Sequence, residues 1–291
     1  MPNGSTSLTL NGVDHTARPT WKLRETIEFY RDKLGLPLVH VISARGWGPA
    51  THPDFLHFFF DSGNGSTIAF FYYLGSVQPQ WLDGRDLAPP TPDDHVFDAT
   101  HTAWQVACEE ELRAWKERLE AHGLHVSAAT RHEVIESIYV RDPNGYFIEF
   151  TRKLRPLGVL DASDAQLTLQ AAVDAEASAA RNGRQVSSIY EIWARKADLL
   201  EKEATHRAGV RIYVPQLEEF APIVMNASKR HDCRVVPLRD YDRIEADEPL
   251  VFLRSELKVK PAVWYGLFTG GVHGRIEVLD RERVLIAPVA N

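Results

Sequence analysis

The tripeptide His15-Thr16-Ala17 recurs later in the chain as His101-Thr102-Ala103. Each copy lies in a run of residues typical of a β-strand and is followed by an amphipathic helix, predicted at about 21–34 and 109–122. A short match alone carries little weight, but here the same order of elements follows both copies. The repetition therefore indicates a duplicated structural unit that makes up the first half of the chain.

Three strand-like runs follow each helix, and the last two of each set meet at an Asn-Gly pair, Asn64-Gly65 or Asn144-Gly145. Asn-Gly is a strong hairpin signal because both residues tolerate positive φ. The six predicted strands are 36–43, 55–61, 67–73, 125–130, 135–141 and 146–152. We therefore predict an α+β fold for residues 1–155, in which two βαβββ modules (about 8–75 and 97–155) form a half-open barrel with a metal cleft.

Alignment of the two modules on their Asn-Gly turns places Ala69 against Glu149. In paired modules of this type the first and last strands line the cleft, so His15 and His101 on the first strands converge with Glu149 on the last. Two imidazoles and one carboxylate leave several coordination positions open, an arrangement that suits non-haem Fe(II). The sequence predicts a divalent metal bound by these three residues, with Fe(II) preferred and Zn, Mn, Ni or Co as other candidates.

The bulk composition limits the classes of partner. The chain has 291 residues and a formal net charge of -7, with no clustered Lys and Arg, so we expect no nucleic-acid partner. No apolar run approaches the length of a membrane span, and the first ten residues lack the features of a secretion signal. We expect a cytoplasmic protein without a membrane partner, and assembly into a homo-oligomer stays open.

A more specific pattern surrounds the predicted glutamate ligand: Thr130-Arg131-His132, Ile138-Tyr139, Asp142-Pro143-Asn144-Gly145 and then Glu149. Over about residues 8–155 the chain resembles the vicinal oxygen chelate superfamily, which includes glyoxalase I, bleomycin-resistance proteins, fosfomycin-modifying enzymes and type I extradiol dioxygenases. The pattern is similar to the surroundings of the last iron ligand in the extradiol enzymes. The resemblance implies that His132 and Tyr139 are catalytic groups beside the substrate and the bound oxygen.

The implied activity is that of an Fe(II)-dependent oxidoreductase, a dioxygenase that uses O₂ to open a catechol-like aromatic ring. Glyoxalase I-like members carry a glutamate in both modules, whereas Ala69 removes the first one here, which favours a three-ligand site. The alternatives are a metal-dependent lyase, isomerase or epimerase, and a metal-free resistance protein that binds its ligand in the cleft. Extradiol enzymes carry an acid–base histidine near the strand that begins here at Thr67; none is present, and His57 could replace it.

The rest of the chain is less informative. The long connection from Gly75 to Asp98 is expected to fold over the cleft, and Trp47 and Trp81 could offer surface to an aromatic substrate. Residues 156–291 resemble no family that we recognise and are predicted to form an accessory α+β domain. Its predicted helices are 163–181, 187–206 and 217–230, and its strands are 210–214, 250–254, 262–268 and a hairpin of 275–279 with 283–286.

Overall fold

The computed structural model of the protein describes residues 10–46, 51–89, 95–201 and 209–289. The chain divides into two compact units. The first contains the chain up to Thr130 together with Glu136–Lys153, and the second contains Arg131–Ile135 and the chain from Leu154 onward. Within the described ranges, no helix combines the length and the apolar character needed to cross a membrane.

The first module of the N-terminal unit has the predicted order of strand, helix and three strands. Its elements are β1 (His15–Pro19), α1 (Leu23–Ile27) with a π-helical continuation (Glu28–Lys33), β2 (Leu38–Ala44), β3 (Phe55–Gly63) and β4 (Ser66–Tyr73). The sheet order is β1-β4-β3-β2, and β1 runs parallel to β4. Both residues of the Asn64-Gly65 turn have positive φ, 51° and 77°, as the hairpin prediction requires.

The second module repeats this arrangement. Its elements are β5 (Thr102–Gln105), α3 (Glu109–Ala121), β6 (Thr130–Arg131), β7 (Ile135–Arg141) and β8 (Phe147–Lys153). The sheet order β5-β8-β7-β6 matches that of the first module, and β5 is parallel to β8. The α+β class and the paired βαβββ modules are thus confirmed, and in the described residues the two sheets do not close into a barrel. A short helix, α2 (His95–Asp98), lies in the connection between the modules.

One predicted strand of this module is much shorter than expected. The prediction covered 125–130, but among these residues only Thr130 belongs to a strand. The Ser127 backbone N–H donates to the carbonyl of Tyr139 at 3.0 Å, while the Ser127 hydroxyl accepts from the Tyr139 N–H at 3.0 Å. The side chain thus takes the place of a backbone acceptor, which interrupts the regular ladder.

The two modules share one hydrophobic core. It is formed by fourteen buried side chains: Phe29, Tyr30, Leu34, Phe58, Phe60, Ile68, Phe70, Val106, Leu112, Leu119, Ile138, Val140, Ile148 and Phe150. In the strands, every second side chain faces this core, as the period of two requires. In the helices that cover the sheets, core side chains recur every three or four residues. Because one face of each sheet packs against this core, the opposite face is the one available for a functional site.

The turn before β8 connects the modules through polar contacts. The Tyr30 hydroxyl donates to Asp142 at 3.0 Å, and the Thr20 hydroxyl donates to the Asn144 side-chain oxygen at 2.7 Å. The Asn144 amide donates to the Thr26 hydroxyl at 3.1 Å, and the Tyr146 hydroxyl donates to the backbone carbonyl of residue 19 at 2.9 Å. We call residues 142–146 the docking turn. It is buried and holds the second module against the first.

Where the structure describes it, the second unit combines α-helices with two small sheets. Its helices are α4 (Val159–Arg181), α5 (Ile189–Leu200), α6 (Ala221–Ala227), α7 (Arg254–Leu257) and α8 (Pro261–Tyr265). Its strands are β9 (Val210–Pro215), β10 (Arg234–Leu238), β11 (Tyr241–Ala246), β12 (Leu250–Leu253), β13 (Val272–His273), β14 (Arg275–Leu279) and β15 (Arg283–Ala287). The sheet orders are β10-β11-β9-β13 and β12-β15-β14, which confirms an α+β class for this half.

The predicted strand at 262–268 is wrong, because the chain forms α8 there. Pro261 occupies the first helical position, where its missing N–H costs nothing. The buried side chains are Val263, Trp264, Leu267 and Phe268, a spacing of three and four residues that belongs to a helix. β-Branched and aromatic residues in this segment gave a misleading strand signal.

Candidate functional site

The structure brings two of the three predicted ligands together. His101 immediately precedes β5, and Glu149 lies opposite Ala103 in the parallel pairing of β5 with β8. His101 and Glu149 therefore occupy the same face of the sheet, opposite to the face that carries the core. The Nε2 atom of His101 lies 3.0 Å from the Oε2 atom of Glu149.

The protonation pattern of this pair follows from its neighbours. The Nδ1 atom of His101 lies 2.9 Å from the backbone carbonyl of Asp98. A carbonyl only accepts, so Nδ1 carries the proton and Nε2 of a neutral ring presents a lone pair to the carboxylate. Two lone pairs at this separation need either a second proton on the ring or a cation shared between them. Metal-ligating histidines commonly have their other ring nitrogen held by a backbone carbonyl in the same way.

Glu149 is 4% exposed and is held by polar side chains on the adjacent strand. The Ser137 hydroxyl donates to Oε1 of Glu149 at 2.5 Å, and the Tyr139 hydroxyl also hydrogen-bonds this carboxylate. Burial and the negative charge of Glu149 raise the pKa of Tyr139. Tyr139 is therefore a neutral hydrogen-bond donor at the carboxylate, and its catalytic role stays a prediction.

His15 does not join this pair. Its Nδ1 atom lies 2.7 Å from Asp14, and its ring packs edge-on against Phe59 at 5.7 Å. In the part of the chain that the structure describes, no three His, Cys, Asp or Glu residues are close enough together to hold a metal ion. His15 lies two residues before Ala17, which pairs with Ala69 as Ala103 pairs with Glu149, so the module symmetry found in the sequence is preserved in the strand register. Its role as a ligand stays a prediction.

The open face of the first sheet carries a buried histidine. His57 on β3 is 7% exposed and is sandwiched by Phe71, at a centroid distance of 3.6 Å, and Phe59, at 4.2 Å. Within the described ranges its Nε2 atom has no hydrogen-bond partner. Burial lowers the pKa of His57, and the neighbouring His15 and His40 lower it further, so the ring is neutral at neutral pH. A neutral imidazole can accept a proton, as the replacement of the missing acid–base histidine requires.

The remaining predicted residues have different placements. His132 belongs to the second unit, where its backbone N–H donates to the carbonyl of Ile135 at 2.9 Å. Its catalytic role stays a prediction. Trp81 lies in the connection between the modules and is 57% exposed, whereas Trp47 lies outside the described residues.

Sequence reasoning missed two groups that support the pair. Ser137 carries no motif, and its contact with Glu149 depends on the lateral pairing of two strands. Asp98 forms a buried two-point ion pair with Arg141, at 2.9 and 3.1 Å, and its carbonyl holds His101. The sequence did offer a sign of this ion pair. Arg141 ends a strand predicted to lie in the core, and a buried charge there requires a partner.

Comparison with known proteins bears on this half of the chain. Residues 12–150 match the model of the Glyoxalase/Bleomycin resistance protein/Dioxygenase superfamily. The matched stretch makes up just under half of the chain. The match confirms the resemblance drawn from the sequence, and it does not extend to the C-terminal half. No curated protein matches the sequence.

Solved structures show weaker likenesses. A lactoylglutathione lyase from Agrobacterium tumefaciens is 20% identical, with a TM-score of 0.33 over 49% of this chain and 94% of its own. A fosfomycin resistance protein from Listeria monocytogenes is 19% identical, with a TM-score of 0.33 over 49% of this chain and 93% of its own. A glyoxalase/dioxygenase from Nostoc punctiforme is 17% identical, with a TM-score of 0.36 over 52% of this chain and 100% of its own. Likenesses of this size carry no argument about the reaction.

Proposed function

We propose that the N-terminal unit is a divalent-metal-dependent dioxygenase of the extradiol type that acts on a catechol-like aromatic. The observation that carries the proposal is the His101–Glu149 pair, with Nε2 and Oε2 3.0 Å apart on one sheet face. The superfamily match is compatible with this activity and with others, so the choice between activities rests on the residues at the site.

The donor set fits a metal ion. Two ligand atoms about 2.1 Å from one ion and at a right angle to each other are about 3.0 Å apart, which equals the observed separation. One imidazole nitrogen and one carboxylate oxygen, with His15 as the predicted third ligand, form the set that Fe(II) oxygenases use. The buried position of Glu149 supports the same conclusion, since a buried ionised carboxylate is stabilised by hydrogen bonds and by a nearby positive charge such as a metal ion.

The chain's own residues have defined tasks in this proposal. A bound ion would supply Lewis acidity towards the hydroxyl groups of a diol. Ser137 and Tyr139 hold Glu149 in its orientation, and the Asp98 carbonyl fixes the tautomer of His101. His57, neutral and without a described partner for Nε2, is the group available to receive a hydroxyl proton from the substrate. Position 69 carries alanine in place of a second glutamate, so it supplies no fourth ligand and leaves coordination positions for the substrate.

Elemental analysis of protein purified without oxygen from iron-replete cells tests the metal. We expect about one Fe per chain in the wild type, as a single mononuclear site requires. His101→Ala and Glu149→Ala should lose the iron, as should His15→Ala if it is the third ligand. His122→Ala, which removes an exposed histidine after α3, is the matched control and should retain it.

Turnover tests the reaction. Iron-loaded protein should consume O₂ with a member of a broad catechol panel and form a yellow ring-fission product. Iron-loaded protein that turns over no catechol in the panel would refute the dioxygenase proposal. Native zinc, nickel or cobalt with activity indifferent to O₂ would favour a lyase, isomerase or epimerase, and a protein that takes up no divalent ion would favour a metal-free binding protein.

A further inference from the structure

The helix α4 of the second unit carries apolar side chains on two opposite faces. Its inner face is buried and includes Ala171, Ala175 and Ala179. Its outer face is exposed and carries apolar residues three or four positions apart, which we call the outer stripe: Ala162, Ala165, Leu169, Val173, Ala177 and Ala180. Leu169 and Val173 are 68% and 64% exposed. Apolar residues on opposite faces are typical of a helix packed on both sides, so the outer stripe is expected to receive a partner.

Polar contacts within the second unit fix the orientation of α4. The fully buried Lys196 of α5 donates to the Asp164 carboxylate at 2.6 Å and to the Thr168 hydroxyl at 2.7 Å. The Tyr241 hydroxyl also donates to Asp164, at 2.8 Å. Rotation of α4 about its own axis would break these buried hydrogen bonds, which is costly. The outer stripe therefore keeps its outward direction on this unit.

The outer stripe is symmetric about Ala171. In an antiparallel pair of identical helices whose twofold axis passes this position, residues equally far before and after it face each other. The pairs that meet are Leu169 with Val173, Ala165 with Ala177 and Ala162 with Ala180. Branched side chains thus meet at the centre, and alanine meets alanine towards both ends. A surface that is complementary to itself in this way suits a twofold interface between two copies of the chain.

The charges of α4 favour the antiparallel arrangement. Gln166 and Glu176 are exposed beside the stripe and equally far from Ala171, so the Gln166 amide of one copy can donate to the Glu176 carboxylate of the other, twice by symmetry. Asp161 lies in the first turn and Arg181 in the last, so antiparallel ends bring opposite charges together. A parallel pair would instead place Glu176 beside Glu176 and like charges at both ends, which is unfavourable.

We propose that α4 forms a homodimer interface, in which the outer stripe packs antiparallel on the outer stripe of a second copy. Alanine at both ends allows the helix axes to approach to about 8–10 Å over a stripe about 27 Å long. A contact between single helices lies at the low end of interface sizes, below roughly 1,200 Å², so we expect a dissociation constant on the order of micromolar. The proposal does not rest on the metal-dependent reaction, because α4 lies outside the superfamily match.

Sedimentation equilibrium of the full chain tests the association. The wild type should change from monomer to dimer between about 1 and 100 μM. Leu169→Glu and Val173→Glu should each weaken dimerisation at least about 100-fold, since each removes two apolar side chains from the contact and adds two charges. Met225→Glu, at a position of α6 that is 59% exposed, is the matched control and should leave dimerisation unchanged. All three variants should keep the wild-type circular dichroism spectrum, because the substituted positions are exposed.

Disulfide cross-linking tests the direction of the pair. Ala162→Cys and Ala180→Cys are made separately in a background with Cys108→Ser and Cys233→Ser. A mixture of the two proteins should form cross-linked dimers under mild oxidation. Neither protein should do so alone, because in an antiparallel pair its two cysteines lie about 27 Å apart, whereas a disulfide requires Cβ atoms about 3.5–4.5 Å apart.

The proposal is wrong if the wild type stays monomeric at 100 μM, or if Leu169→Glu and Val173→Glu dimerise as the wild type does. Cross-linking of each cysteine variant with itself, without cross-linking in the mixture, would overturn the antiparallel arrangement. A monomeric wild type whose urea midpoint falls strongly in Leu169→Glu would identify the same chain as the occupant of the stripe, which also overturns the proposal. If the cysteine background does not fold, the sedimentation comparison still decides the matter.

Discussion

Substitution of Asp98 by alanine should destabilise the first unit and disturb the candidate site together. The Asp98 carboxylate receives two hydrogen bonds from Arg141, at 2.9 and 3.1 Å, and the two side chains are only 1% and 2% exposed. Removal of one member of a buried pair deprives the other charge of that partner, at a cost of about 3–5 kcal/mol. Arg141 would keep the backbone carbonyls of residues 89 and 145 as acceptors, at 3.1 and 3.2 Å, so we expect the lower end of that range.

Urea unfolding, followed by tryptophan fluorescence and circular dichroism, measures this loss. A destabilisation of about 3 kcal/mol should lower the melting temperature of the unit by roughly 6–12 °C. Asp32→Ala is the matched control, because Asp32 pairs with its neighbour Arg31 on the exposed surface, and it should leave the midpoint unchanged.

The double variant Asp98→Ala/Arg141→Met separates the ion pair from simple loss of packing. Because it removes both charges of the pair, it should be more stable than the sum of the two single variants predicts. Strictly additive effects, or a loss in Asp98→Ala below about 1 kcal/mol, would refute the view that a buried pair supports the site.

Three further outcomes are expected. Gly145→Ala should lower the free energy of unfolding in urea by about 1–3 kcal/mol, because φ at this position is 87° and a Cβ would overlap Arg85 of the connection. Gly63 has a similar φ of 91° but open space around it, so Gly63→Ala should cost only about 1 kcal/mol. Burial lowers the pKa of His57, so below about pH 6.5 the unfolded chain binds a proton that the folded chain does not. The free energy of unfolding should therefore fall as the pH drops through this value. In His57→Phe this fall between pH 7.5 and 5 should be smaller. Ser137→Ala should weaken metal binding about tenfold in a competition titration, since Glu149 loses the hydroxyl that orients it; an unchanged affinity would contradict that role.

The elements that carry strong local patterns were predictable. β7 spans Ile135–Arg141 as predicted, because alternation and the Asn-Gly turn define a strand without long-range information. The His101–Glu149 pair could be inferred from the repeat, since equivalent strands in duplicated modules share a register. Contacts that depend on the path of the chain could not be inferred in the same way. The Asp98–Arg141 pair is an example, because no local pattern states where a long connection will lie.

Predictions failed where two local signals competed. At 262–268 the β-branched and aromatic content indicated a strand, although Pro261 and the spacing of the apolar residues favoured a helix. At 125–130 the residues alternate as a strand would, but the Ser127 side chain takes the N–H that pairing would use.

The docking turn has a consequence for how a ligand could reach the open faces of the sheets. Its contacts with Thr20, Thr26 and Tyr30 would all have to break before one module could rotate against the other, at a cost of about 1 kcal/mol or more for each buried hydrogen bond. A hinge between the modules is therefore a high-energy motion. A ligand that reaches these faces therefore meets two sheets whose relative orientation is held by the docking turn.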